Sequence, residues 1–516
     1  DVTLPNGKHD RVLVPVVYLT RAHSEDLKPN GALIAANDLQ LQINGTLANS
    51  GTLKGSNSLQ LAATDVANRG GRIQSAGDLR IDAANDVNNQ SGSIAGRRVA
   101  IVAGRDLKSE RLTEALQLAA VSTTRIRSDA AISASESLDV SAGRDLTLIA
   151  ARTESGGDTR LQAGRNLSIG TVAASESVAN GNGGKSRQTQ LGSQLNSGGD
   201  LTLIAANDAT LTTAELNATQ NIALAAGGNV TLAASKDSRQ SSFSGRGARN
   251  RQLDETARGS QMNAGGQITV LATDFNKLVE AAPTAAGAPA MAAAPDRNIS
   301  LEAASLNSKS GNVTVAADGN LTVKEATERH EAMSETRKSS RGFFSSKTTT
   351  TRSESSSEIA VGSTISGDSV RMESGRDMAV RGSNVVATND TTLIAGNKLS
   401  VEAAHETHNE SHFTETKQSG LFSSGGIGFT LGSKQQSTDQ KSEASTAGKS
   451  TIGSTDGNVT LIAGEKYRQQ GSDVIAAKGN IEITAKSVEI LEARETSKTT
   501  TETKFSQSGL TLAITS

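Results

Sequence analysis

Three histidines in the stretch HETHNESH, His405, His408 and His412, are spaced three and four residues apart. On a helix that spacing shares one face and could hold zinc. On a strand, which the surrounding Thr residues favour, His405 points opposite to His408 and His412, and the surface is simply solvated. Aspartates also recur, at Asp78, Asp86, Asp106 and Asp145. Clustered carboxylates could do acid–base work on a glycan, but these fall at corner positions of successive repeats and no aromatic platform accompanies them. A third candidate is AGRDLTLIAA at 142–151, which returns as GGDLTLIAA at 198, AGGNVTLAA at 226 and DGNVTLIAG at 456. A phosphate loop needs a G-x-x-x-x-G-K-[S/T] pattern, and a dinucleotide loop needs its Gly turn between a strand and a helix. Here the Gly precedes the strand and no helix follows. These readings leave a chain that is not an enzyme, with no catalytic residue, metal or cofactor.

What positions these residues is a repeat. Leu39 and Leu41 are followed by Leu59 and Leu61, then Leu79 and Ile81, then Val99 and Ile101, a step of 20 residues each time. A third series runs Leu47, Val66, Val87 and Leu107. A fixed period of this size marks a solenoid. Alternation in steps of two sends one side chain inward and the next outward. Three short strands joined by Gly or Asn corners close one coil of an all-β, right-handed parallel β-helix, the hand following the crossover preference. At roughly 4.8 Å per coil, about 17 to 20 coils would make a rod on the order of 80 to 100 Å.

Regular coils are expected over 1–107 and coils with insertions over 108–273, with a helix start in ERLTEALQLAAVSTTRIRSDA. The stretch 274–295 reads as an Ala/Pro-rich linker or short helix. Over 296–516 the coils alternate with long polar insertions at 326–366, 404–455 and 493–516; shorter ones lie at 172–197 and 235–262. The insertions resemble one another. AARTES at 150 reads as the entry to a short one, and longer ones begin ATERHE, AAHETHNE and EARETSKTTTE. Each is expected to project as a β-hairpin, which a solenoid tolerates at a corner.

Composition suits this plan. Aromatics are 2% and Trp is absent, so a compact core would be thin, whereas stacked coils need only Leu, Ile, Val and Ala. Cys is also absent, which suits a chain crossing the periplasm unfolded. The net charge of −2 offers no overall attraction to nucleic acid. The chain starts at Asp1 and stops within TLAITS, which reads as part of something larger.

The GRDLTLIAA-type strands, the opening VPVVYL followed by GALIAANDLQL, the NSGTL/NRGGRI/NQSGSI series and the E-T…K-F-S-Q-S-G-L insertions together resemble the filamentous-haemagglutinin family of two-partner secretion exoproteins. The insertion-bearing part is similar to the C-terminal haemagglutinin-repeat region of contact-dependent growth-inhibition effectors. That resemblance implies export through an outer-membrane transporter and a place in a long cell-surface fibre. It further implies contact with a target-cell outer membrane or receptor during toxin delivery; a passive adhesin shaft and, more distantly, a glycan-degrading β-helix are the alternatives.

The insertion tips are the functional candidates. In SGLFSSGGIGFTLGS, Ile427, Phe429 and Leu431 alternate with Gly and Thr, the dyad pattern of a membrane strand. Phe422 precedes them, Phe343 and Phe344 mark the RGFFSS tip, and Phe505, Leu510 and Leu512 mark the last. The same hairpins could instead fold back and cover the flank of the rod.

Overall fold

The structure is a computed structural model describing residues 2–3, 9–10, 32–274, 296–423 and 428–513. The apolar opening at 12–19 and nearly all of the Ala/Pro-rich stretch lie outside the described residues.

The chain winds through a parallel β-helix of 14 coils from Leu33 to Leu491, three strands to a coil, with no helix among the described residues. The third strands stack as one 14-stranded sheet, and the first two strands of each coil form the other walls. Register is unbroken from coil to coil where it matters for the core. Leu59 lies over Leu79, which lies over Val99, then Leu138 and the buried Thr159; Leu201 and Ile222 continue the column, which two hairpins leave unshifted. Inward positions along it are buried almost without remainder, while the alternate residues face water. One strand's N–H and C=O groups are satisfied by the coils above and below, and mainly Leu, Ile, Val and Ala fill the tube.

The corners are close contacts. A Cβ on Gly143 would come within 2.2 Å of the Gly104 carbonyl oxygen, so this position of AGRDLTLIAA is a turn with no room for a side chain. Asp145, two residues on, accepts the backbone N–H of Asn166 at 3.2 Å and so caps the corner of the next coil.

Two expectations are corrected. Residues 113–126 contain no helix: Thr113–Leu118 and Val121–Ile126 form an antiparallel hairpin. The Glu, Ala and Leu residues there have helix propensity, but pairing of Val121–Thr123 with the next hairpin supplies backbone bonds that an isolated short helix lacks. AARTES opens no insertion, because Ala151–Ser155 is an ordinary first strand of a coil, with Ala151 and Thr153 facing the core. Among the described residues the coil count is also below expectation, because the hairpins absorb much of the chain; 14 coils give about 65 Å of rod.

Candidate functional site

Each hairpin leaves the rod at one corner, between the third strand of one coil and the first strand of the next. The paired limbs are Thr113–Leu118 with Val121–Ile126, Val172–Asn180 with Gly183–Leu191, and Ser235–Gly245 with Ala248–Arg258. They are followed by Ala326–Arg341 with Ser345–Val361, and by Ala404–Ser423 with Gly428–Gly448. A last outgoing limb runs Thr496–Ala513. At three re-entries a buried serine ties the exit shut: Ser193 Oγ donates to the Gly170 carbonyl at 3.0 Å, Ser363 Oγ to that of Lys324 at 3.0 Å and Ser450 Oγ to that of Glu402 at 2.7 Å.

From the fourth coil onward a hairpin leaves after every second coil. Two coils advance the rod by about 9.6 Å, and the two strands of one hairpin occupy about 9.6 Å of sheet. The spacings match. Neighbouring hairpins therefore pair with each other, and all of them form a single 11-stranded antiparallel sheet beside the rod. Its paired strands lengthen from 6 residues in the first hairpin to 20 and 21 in the fifth, roughly 20 Å to 70 Å.

This sheet does not lie on the flank of the rod. Among its described residues only Ala326 and Ala404 at the base, and Phe422 and Thr430 at the tip, are buried. Both faces of the stem meet solvent. It is a single layer whose polar Ser, Thr, Glu and Lys side chains need no second layer.

Residues directly opposite one another in neighbouring strands point to the same face. Around the tip, equal residues fall into rows: Leu421–Leu431–Leu510, then Gly420–Gly432–Gly509, then Ser419–Ser433–Ser508. A Cβ on Gly432 would meet the Ser508 carbonyl oxygen at 2.1 Å, which explains the bare row. Phe429 and Leu512 form the next row outward, on the leucine face. Leu431 is 60% exposed and Leu510 75%, so this face carries an open apolar patch of five side chains.

The predicted residues are thus only partly brought together. Phe429, Leu431, Leu510 and Leu512 converge, and Leu421 joins them although sequence reasoning passed it over. Its signal was present in the mirrored order Ser419-Gly420-Leu421 and Leu431-Gly432-Ser433 about the turn. Phe422 is 7% exposed and shares the opposite face with Thr430 and Thr511, whose hydroxyls lie 2.9 Å apart. Phe505 is on that face too, further down the stem beneath the Lys434 ammonium at 5.3 Å. Phe343 and Phe344 pack edge to face at 5.7 Å in the turn of the fourth hairpin, and the Phe344 carbonyl accepts the Leu421 N–H at 2.9 Å. Ile427 lies outside the described residues.

The other candidates have ordinary partners. His405 meets Ser445 at 2.7 Å on the face opposite to His408, which meets Glu410, and His412, which meets Ser353. No group of three or more metal-ligating side chains forms among the described residues. The corner aspartates hold arginines of the next coil: Asp78 pairs with Arg98, Asp86 with Arg105, Asp106 with Arg144 and Asp145 with Arg165. These guanidinium bonds hold the Asp78, Asp106 and Asp145 carboxyls below the usual carboxylate range, so at neutral pH they are ionised ion-pair partners with no proton to donate.

A model of the Hemagglutinin repeat matches residues 173–252, 241–347, 343–434 and 431–516, two thirds of the chain. The chain belongs to the haemagglutinin-repeat family. The second and third of these matches run from the turn of one hairpin to the turn of the next, so the haemagglutinin repeat corresponds to two coils with the limbs that flank them. Among its relatives, the chain is 33% identical over 98% of its length to tRNA nuclease CdiA of Escherichia coli (strain STEC_O31) and covers 15% of that protein. It is 30% identical over 98% of its length to Deoxyribonuclease CdiA of Dickeya dadantii, again covering 15%. It is 41% identical over 39% of its length to 16S rRNA endonuclease CdiA of Enterobacter cloacae, covering 6%. No solved structure matches the chain. The resemblance read from the sequence is borne out: this is a β-helical haemagglutinin-repeat segment related to the CdiA proteins.

Proposed function

We propose that this segment is the part of a secreted contact-dependent growth-inhibition fibre that touches a target-cell outer membrane and supports passage of a toxin carried elsewhere on the fibre. The observation that carries this reading is the exposed apolar row Leu421–Leu431–Leu510 with Phe429 and Leu512, at the far end of the longest hairpin limbs. Relatives named for two different nucleic-acid substrates match nearly all of this segment, and one named for a third matches 39% of it, which supports a segment without catalysis of its own, the named chemistry residing elsewhere in those proteins. The chain spans about 15% of the relatives it matches along nearly all its length.

The apolar rows set the depth of contact. A membrane-spanning barrel needs an apolar band about 25 Å tall. The rows from Leu421 to Leu512 cover about 7 Å, enough to enter the outer edge of a leaflet without crossing it. Export through an outer-membrane transporter of the two-partner type, and display at the bacterial surface, fit a cysteine-free solenoid that can fold coil by coil as it emerges. A passive adhesin shaft would use the same rod without needing the exposed tip.

Flotation with purified outer-membrane vesicles separates the two. The chain is expected to float with the vesicles, and the Phe429→Asp/Leu431→Asp variant to remain at the bottom with an unchanged melting curve. Equal flotation of both would remove membrane contact through the tip.

A further inference from the structure

The chain is nearly neutral overall, yet its charges are not evenly spread along the hairpin sheet. Consider the row Lys338–Thr349–Thr416–Gln436–Phe505 and every row beyond it toward the tip. In these distal parts of the fourth hairpin, the fifth hairpin and the last strand stand Lys338, Arg341, Lys347, Lys417 and Lys434, and no Asp or Glu at all. Nearer the rod the same strands are mixed, with ion pairs such as Arg329–Glu331, Lys441–Asp439 and Lys504–Glu502. Lys338, Arg341 and Lys347 are exposed and have no carboxylate partner among the described residues, and Lys434 covers only the Phe505 ring. Lys417 alone has an acid, Glu415, two rows nearer the rod on the same face.

The position of this collar is as informative as its sign. Lys417, on the leucine face, lies four rows short of the leucine row, and Lys347 and Lys434, on the opposite face, lie three rows short, about 10 to 13 Å along the strands, so the cations flank the tip on both faces. A headgroup layer is about 5 to 7 Å thick, and a lysine stem reaches several ångströms along its own strand. With Leu421, Leu431 and Leu510 at the hydrocarbon boundary, the Lys347, Lys417 and Lys434 ammonium groups fall at the depth of lipid phosphates, and Lys338, five rows or about 17 Å from the leucine row, faces the charged surface from within a Debye length.

Resting on the membrane-contact reading, we infer that the hairpin tips recognise an anionic, phosphate-bearing lipid leaflet, the apolar rows entering it and the lysine collar binding its phosphates. Charge complementarity is the argument: a belt of cations, only one of them with an acid partner among the described residues, set on the stem just short of an exposed apolar edge fits an anionic bilayer and would be wasted on a neutral one.

The test uses the full chain with vesicles of phosphatidylcholine, with and without phosphatidylglycerol. The K338Q/K347Q/K434Q variant is expected to lose on the order of 100-fold in affinity for the anionic vesicles, about fivefold per lysine, and to keep the weaker binding to pure phosphatidylcholine. The K338R/K347R/K434R variant should bind as the parent does, which separates loss of charge from loss of fold. Removing three stem cations by R187Q/R249Q/R251Q should change little. If the triple Gln variant binds anionic vesicles as the parent does while F429D/L431D abolishes binding, the collar is overturned and the apolar contact stands. If the parent binds neither vesicle, both readings fail. If heparin binds the parent and F429D/L431D equally and displaces the vesicles, the collar is a site for a soluble polyanion and the lipid assignment is overturned.

Discussion

Leu201, Leu203 and Ile222 in the rod have almost no surface left to water; Leu421, Leu431 and Leu510 in the hairpin sheet, the same kind of residue on the same kind of strand, stand open. The rod closes its strands around a column of apolar side chains and gains from burial at every coil. The sheet buries almost nothing between its base and its tip, and rests on backbone bonds to neighbours whose positions the rod dictates. Stability therefore belongs to the coils. The sheet is free to carry side chains chosen for contact with something else, and its tip is where exposed leucines and phenylalanines stand close to cations.

That contrast can be broken most severely from the rod side. Leu203→Ala should cost about 2 to 5 kcal/mol, the usual range for emptying a buried leucine, and lower the melting temperature. Leu431→Ala should leave stability within about 0.5 kcal/mol, as surface substitutions do. Comparable losses in denaturant titrations would mean that the tip is part of a core.

A cut in the spacing is the next largest expected effect. Deleting Ser193–Thr213 removes one coil that bears no hairpin and joins Gly192 to Ala214, which occupies the same coil position as Ser193. The second and third hairpins would then be one coil apart, half the distance their pairing needs. Amides from Lys185 to Gln188, paired with Ser238 to Ser241 in the parent, should lose hydrogen-exchange protection while coil amides keep theirs. Retained protection would show that the hairpins pair independently of the rod's pitch.

The smallest effect comes from the corners. The folded carboxyls of Asp106 and Asp145 lie below their unfolded values, so their contribution is complete at neutral pH and disappears as pH falls from about 4 through the folded pKa. The Asp106→Asn/Asp145→Asn variant should melt slightly lower than the parent at pH 7, by less than about 1 kcal/mol per pair. The two should converge in acid. A difference that persisted at low pH would assign the loss to packing instead.

Much of the rod could be read from the sequence because its inward residues alternate and recur on one beat, as Leu59, Leu79 and Val99 do. Insertions broke that beat and announced themselves by polarity. Joining them into one sheet required knowing that two coils separate each exit, which is a property of the whole rod and not of any hairpin sequence. Thr113–Ile126 escaped because Glu, Ala and Leu carry helix propensity that pairing with the next hairpin overrides. At the site, composition pointed to the right tips, but the face each side chain takes depends on cross-strand register. Phe422 stands in the same apolar stretch as Phe429, and Phe505 in the similar tip of the last strand, yet both lie across the sheet from Phe429 in the fold.

Since the chain contains no cysteine, a single one can be placed at will. An environment-sensitive fluorophore on Leu431→Cys, compared with one on Ser411→Cys in the stem and one on Asp139→Cys on the rod, reports which part meets lipid when outer-membrane vesicles are added. The account predicts a blue shift and protection from aqueous quencher at position 431, with positions 411 and 139 unchanged. An equal response at all three positions, or none at position 431, would contradict it.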